Sequence, residues 1–178
     1  MNFRKFLIAQ SILIAASSVV FPFYLLLIKN VGDSYSQFGW AYGLFTLTAA
    51  LTYPIIGRLG DRYGDKKMLL IYTLGTAAVM LLIPLLYEVW QVYMIQIMMG
   101  ILGAIQKNTE KAFLARNNDN ETAGERIGKY HLQISLWSGL GIILTGYLID
   151  FLTIASLFYL ISFVYIIASF VIIKRERI

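Results

Sequence analysis

Six runs of apolar positions alternate with short polar stretches: Phe6 to Ile28, Phe38 to Ile56, Met68 to Leu86, Val89 to about Ile105, His131 to Leu152 and Ile154 to Ile173. Each comes close to the roughly 20 residues that an α-helix needs to cross a bilayer, so the pattern predicts an all-helical membrane protein with six spans. The fourth run continues towards Phe113. Between the second and third runs lies a charged stretch, Gly57 to Leu69, too short for anything but an interfacial bend between antiparallel helices. Gly57 and Gly64 are its expected turning points, because glycine reaches backbone conformations closed to other residues. The first run starts with basic residues like a signal peptide, but it continues through Phe23 to Ile28, too long for a signal core, and is read as helix 1.

Composition places the chain in the membrane class: 58% of its residues are hydrophobic and only 14% charged, outside the range of soluble domains. Its net charge of +5 would suggest nucleic acid in a soluble protein. The distribution gives it another meaning. Of the fifteen lysines and arginines, only Lys29 lies at the other set of helix ends from the rest. The rest are Arg4, Lys5, Arg58, Arg62, Lys66, Lys67, Lys107, Lys111, Arg116, Arg126, Lys129, Lys174, Arg175 and Arg177. The positive-inside rule then puts both termini in the cytoplasm of a multi-pass protein, expected in the inner or plasma membrane, and the nucleic-acid reading falls away. Trp90, Tyr35, Tyr87 and Tyr93 cluster at the opposite ends, as an aromatic belt does. There is no cysteine, which excludes disulfides, thiolate metal sites and cysteine nucleophiles. No stretch has the pattern of a phosphate loop, a paired-histidine metal site or a serine elbow, so neither an enzyme, a metal nor a cofactor is expected.

The bend carries a resemblance. Gly57-Arg-Leu-Gly-Asp61-Arg62-Tyr-Gly64-Asp65-Lys66 resembles the loop between helices 2 and 3 of the major facilitator superfamily, whose pattern is Gly-x-Leu-Ala-Asp-Arg-x-Gly-Arg-Arg. Gly57, Leu59, Asp61, Arg62, Gly64 and Lys66 match; Asp65 stands where the family has a basic residue. Weaker likenesses follow at Gly100-Ile-Leu-Gly103, at Glu125 to Tyr130, and at Gly139-Leu-Gly141 with Gly146-Tyr147-Leu148. The resemblance covers nearly the whole chain, but only one six-helix half of a family that normally has twelve. It implies a single domain, 1–178, made of two inverted three-helix repeats, about 1–87 and 88–178.

It also implies a cavity wall. On helix 4, Gln96, Gly100, Gly103, Lys107 and Glu110 fall within an arc of about 80 degrees, and on helix 1 Gln10, Ser17, Phe21 and Tyr24 share a face. In the family these two helices line the solute pathway. Gln10, Ser17, Tyr24, Gln96 and Gln133 are therefore the candidate pathway residues, with Gly57, Asp61, Arg62, Gly64 and Lys66 as the cytoplasmic gating motif. The competing reading of such glutamines and serines is helix packing, where interhelical hydrogen bonds contribute only about 0.6 kcal/mol on average. Lys107 and Glu110 read as a solvated helix end, and His131 as an interfacial residue. Some family members carry, four residues before the helix-4 glycine, an arginine linked to proton coupling; here that position is Gln96. Pro22 and Pro54 interrupt helices 1 and 2, and Gly39 and Gly43 offer a close-packing face.

A half with one cavity wall needs a second. The expectation is a secondary transporter moving a small neutral or amphipathic solute by alternating access, with the bilayer around it and a second copy of the chain as partner. A separately encoded half, a longer parent chain and a non-transporting accessory protein are the alternatives. In a homodimer Asp61 is expected to approach the N-terminal turn of the partner's helix 5, at Tyr130 to Ile134, where the helix dipole would favour a carboxylate by about 0.3–1 kcal/mol.

Overall fold

The computed structural model describes residues 1–31, 34–116 and 122–174, with the side chains of 21–31 and 123 outside the description. The candidate Tyr24, with Phe21, Pro22 and Lys29, and the terminal Arg175 and Arg177 therefore lie outside the described side chains. Six α-helices account for most of it: α1 (Phe3–Val31), α2 (Tyr35–Tyr63), α3 (Asp65–Leu82), α4 (Val89–Arg116), α5 (Ala123–Leu148) and α6 (Ile154–Ile173). Four of these, α1, α3, α4 and α6, contain stretches long and apolar enough to cross a membrane. The tyrosines, threonines and glycines of α2 and the polar first turns of α5 dilute the other two.

Two boundaries differ from those the apolar runs suggest. The charged stretch is not a loop, because α2 runs on through Arg58, Asp61 and Arg62 to Tyr63. At about 1.5 Å per residue its 29 residues span some 43 Å, well beyond a hydrocarbon core of about 30 Å, so a charged helix end extends past the apolar part. Gly57 is thus helical, and the chain reverses at Gly64 alone, the one described residue with positive φ (81°). Gly64 ends α2, donating its N–H to Gly60 O at 2.8 Å, and immediately starts α3. Asp65 follows in the first turn of α3, where the helix dipole favours a carboxylate. The fourth helix continues past Ile105, as its pattern suggested, and reaches Arg116. The fifth begins at Ala123, two turns before His131, which puts Glu125 to Tyr130 inside the helix. Its N-terminus is therefore at Thr122 to Glu125, and Tyr130 to Ile134 is interior to it.

Helix α2 packs on α4, α1 on α5, and α3 on α6, with α3 also against α4 and α1 against α6. Two glycines set the closest approaches to a neighbouring backbone. A methyl group on Gly100 of α4 would lie 2.6 Å from the Phe45 carbonyl oxygen of α2, and one on Gly141 of α5 would lie 3.2 Å from the Ala15 carbonyl oxygen of α1. In the α3–α6 seam the Tyr72 and Tyr165 hydroxyls meet at 3.1 Å, and Ser162 Oγ donates to Ala77 O at 2.8 Å. These polar groups, placed in an apolar interior, are thus satisfied across the seam. One end of the bundle gathers both described chain ends, the Gly64 turn and the α4–α5 junction. There Lys66 Nζ donates to Ile173 O at 3.3 Å, Lys5 Nζ reaches Lys174 O, and Arg126 Nη2 donates to Leu114 O at 3.2 Å.

Candidate functional site

The charged motif and α4 meet at that end. Arg116, in the last turn of α4, places Nη2 2.5 Å from Asp61 Oδ1 and Nη1 2.8 Å from Asp65 Oδ1. A guanidinium presents its donors as a rigid fork, and here each prong takes a different carboxylate. The Asp61 side chain is 75% exposed and the Asp65 side chain 16% exposed. Water screens the first contact, for which about 0–1 kcal/mol is typical, and screens the second less. Asp65, the residue that departs from the family pattern, is thus paired with a cation. Arg116 is the functional residue that sequence reading passed over. The signal was there: two carboxylates four residues apart on either side of a turn call for a shared cation at a neighbouring helix end. Of the other motif residues, Arg62 lies over the Tyr63 ring at 5.6 Å. Gly57 serves helix packing, its Cβ position 3.9 Å from Asn108 Oδ1.

Above the motif, α1 and α4 are joined side by side. The Phe6 and Phe113 rings stack at 3.8 Å and 14°. One turn deeper, Gln106 Nε2 donates to Gln10 Oε1 at 3.2 Å and to Glu110 Oε2 at 3.1 Å. Gln10 and Gln106 are buried. Gln10, expected on an open wall, is therefore part of the seal beneath it. Glu110, expected on a solvated helix end, holds that seal from the α4 side.

Beyond the seal is a cavity of about 300 Å³ framed by α1, α2 and α4 over a floor from α3 and α6. Two of the expected pathway residues, Ser17 and Gln96, line it, with Tyr72 and Tyr165 on the floor and Phe38, Tyr42 and Phe45 on the α2 side. Ser17 Oγ is committed to Ile14 O at 3.0 Å. Gln96 is 7% exposed and has no hydrogen-bond partner among the described residues, so its amide is free to meet a guest. Lys107 lines the same cavity. The tyrosine pair was not anticipated; a phenol near mid-helix in an apolar run is the mark that identifies it, because a buried hydroxyl demands a partner.

Gln133 is elsewhere. It lines a second cavity, about 440 Å³, between α1, α5 and α6, together with Ser11, Trp137, Thr145 and a series of leucines. Its Nε2 is 3.5 Å from Ser11 Oγ. The larger cavity is the more apolar of the two.

Similarity to known proteins agrees with the bend's resemblance. The sequence profile of the Major Facilitator Superfamily matches residues 6–177. A protein of Bacillus subtilis (strain 168) named as an uncharacterized MFS-type transporter, YitZ, is 42% identical over 159 residues, which cover 89% of this chain and 97% of that protein. The multidrug resistance protein MdtG of Dickeya zeae (strain Ech586) is 32% identical over 172 residues, 92% of this chain but 42% of its own length. MdtG of Proteus mirabilis (strain HI4320) is 29% identical over 162 residues, 88% of this chain and 40% of its own length. The chain thus spans nearly all of the first relative and about two fifths of the other two.

Proposed function

Because the chain belongs to the major facilitator superfamily, a family of transporters and not of enzymes, we propose that this multi-pass membrane protein forms one half of a secondary transporter for small amphipathic solutes. All six helices cross the bilayer as two inverted repeats, about 1–87 and 88–178, with both termini in the cytoplasm. Exchanging α1 with α4, α2 with α5 and α3 with α6 maps the helix pairings onto themselves, which supports the repeat reading. The observation that carries the transport reading is the α1–α4 pair: sealed at the motif end by Phe6, Phe113, Gln10 and Gln106, and parted beyond it around Ser17 and Gln96. One wall sealed at one end is what an alternating-access cycle requires of each half.

The second wall is a second copy of this chain. The broad exposed apolar faces of α2 (Trp40, Leu47, Leu51) and α5 (Leu136, Leu140, Ile143) provide surface for it. Asp61, shared with Arg116 inside the subunit, exchanges that contact for the partner's α5 N-terminus at Thr122 to Glu125 as the gate moves. Relatives of more than twice this length favour a second reading, in which the other half is a different polypeptide or the remainder of a longer one.

Two measurements test this. Chains carrying Asp61→Cys and chains carrying Thr122→Cys, co-expressed, should crosslink into dimers, and the purified chain should carry solute across proteoliposome membranes unaided. Flux that appears only with an added second half transfers the proposal to the heteromeric reading. No flux in either arrangement overturns it.

A further inference from the structure

The cavity between α1, α2 and α4 has a polarity that the transporter reading does not require. Lys107 is the one formally charged residue lining it among the described residues. Lys107 makes no ion pair among the described residues; the nearest acid along its own helix is Glu110, which already accepts from Gln106 and belongs to the seal. Gln96, 7% exposed as a residue, also lines the cavity, without a hydrogen-bond partner among the described residues. Lys107 and Gln96 are on one face of α4, eleven residues and therefore about 16 Å apart along its axis. Between them the wall is Met99 and Gly103, faced by Phe45. The site is therefore an apolar slot with a cation at one end and an amide at the other.

Resting on the transporter reading, we propose that this slot selects amphipathic anions: a flat apolar body with a carboxylate or similar group at Lys107 and a hydrogen-bonding group at Gln96. The Lys107 side chain is exposed and has no ion-pair partner among the described residues, so an anionic solute supplies its counter-charge on entry. A cationic solute would bring like charges together at Lys107, so the slot discriminates against it. Gln96 is 7% exposed as a residue, and its amide gives up hydrogen bonds to water when a solute covers it and regains them from a solute hydroxyl. The aromatic and methionine walls adapt to the apolar body without prescribing its outline. At about 300 Å³ the slot is at the small end of ligand cavities, which suits a guest of two fused rings.

The test uses 6-hydroxy-2-naphthoate, its neutral carboxamide and 2-naphthoate. Binding of each to the full chain in lipid nanodiscs is read by fluorescence anisotropy against empty nanodiscs. The hydroxynaphthoate should bind roughly tenfold more tightly than the carboxamide. Lys107→Gln should abolish that preference while leaving carboxamide binding within about twofold, and Lys107→Arg should restore it. Gln96→Leu should weaken the hydroxynaphthoate to the level of 2-naphthoate. Carboxylate and carboxamide binding alike to the unaltered protein overturns the proposal, whatever the variants do and whether or not flux is seen. A charge preference that survives Lys107→Gln also overturns it. Preserved discrimination with no flux into proteoliposomes refutes transport and leaves the binding site standing.

Discussion

The two cavities of this bundle occupy related places in the helix order yet differ in chemistry. One is bounded by α4, α2 and α3 with α1, the other by α1, α5 and α6. The first holds an amide without a partner among the described residues, a phenol pair and a lysine; the second holds Gln133, bound to Ser11 at the limit of hydrogen bonding, and Thr145 within a mostly apolar wall. The difference shows that helix pairing alone does not make a solute site. Equivalent scaffolds diverge wherever one acquires polar groups that the protein itself leaves unanswered.

The comparison breaks most severely at its scaffold. Gly100→Ala forces a methyl group to 2.6 Å from the Phe45 carbonyl, a backbone atom that cannot swing aside, whereas at Gly141 the corresponding distance is 3.2 Å. Gly100→Ala should destabilise the bundle by about 1–3 kcal/mol, as overpacking does. Gly141→Ala should destabilise it by less, and thermal unfolding in detergent measures both. If the two effects are equal, the α2–α4 seam is no tighter than the α1–α5 seam. Next in size is the guanidinium fork. Asp65→Asn should lower stability by about 1 kcal/mol, losing a shielded ion pair and a favourable dipole contact. Asp61→Asn, at the exposed prong, should change stability by less than Asp65→Asn and act on flux instead. A double-mutant cycle with Arg116→Gln separates the two prongs. The smallest effect belongs to the second cavity: Gln133→Leu should leave solute binding and flux within about twofold, because its amide serves only the α1–α5 contact. A loss as large as that from Gln96→Leu would show that both cavities handle solute.

The six helices were legible in the sequence because an apolar run of bilayer length has one stable form in lipid. The extent of their polar ends was less so. Arg58 to Tyr63 and Glu125 to Tyr130 look like loop when hydropathy is the guide, yet both are helical, since charge does not stop a helix and only Gly64 reverses the chain. The site was half legible. Helical phase grouped Gln96 with Lys107 correctly, but phase within an isolated helix does not say which neighbour a face meets. Gln10 therefore went to the seal and Gln133 to the other cavity. Arg116 was hidden for a different reason: its role depends on Asp65, where the family's usual charge is inverted.

The junction at Gly64 has a mechanical corollary. A connector of one residue stores no slack, so α2 cannot tilt without dragging the start of α3, and with it Lys66, which is tethered to the end of α6. Displacement begun at Asp61 is thereby relayed as leverage along α3 to the Tyr72–Tyr165 floor, two turns beyond the junction.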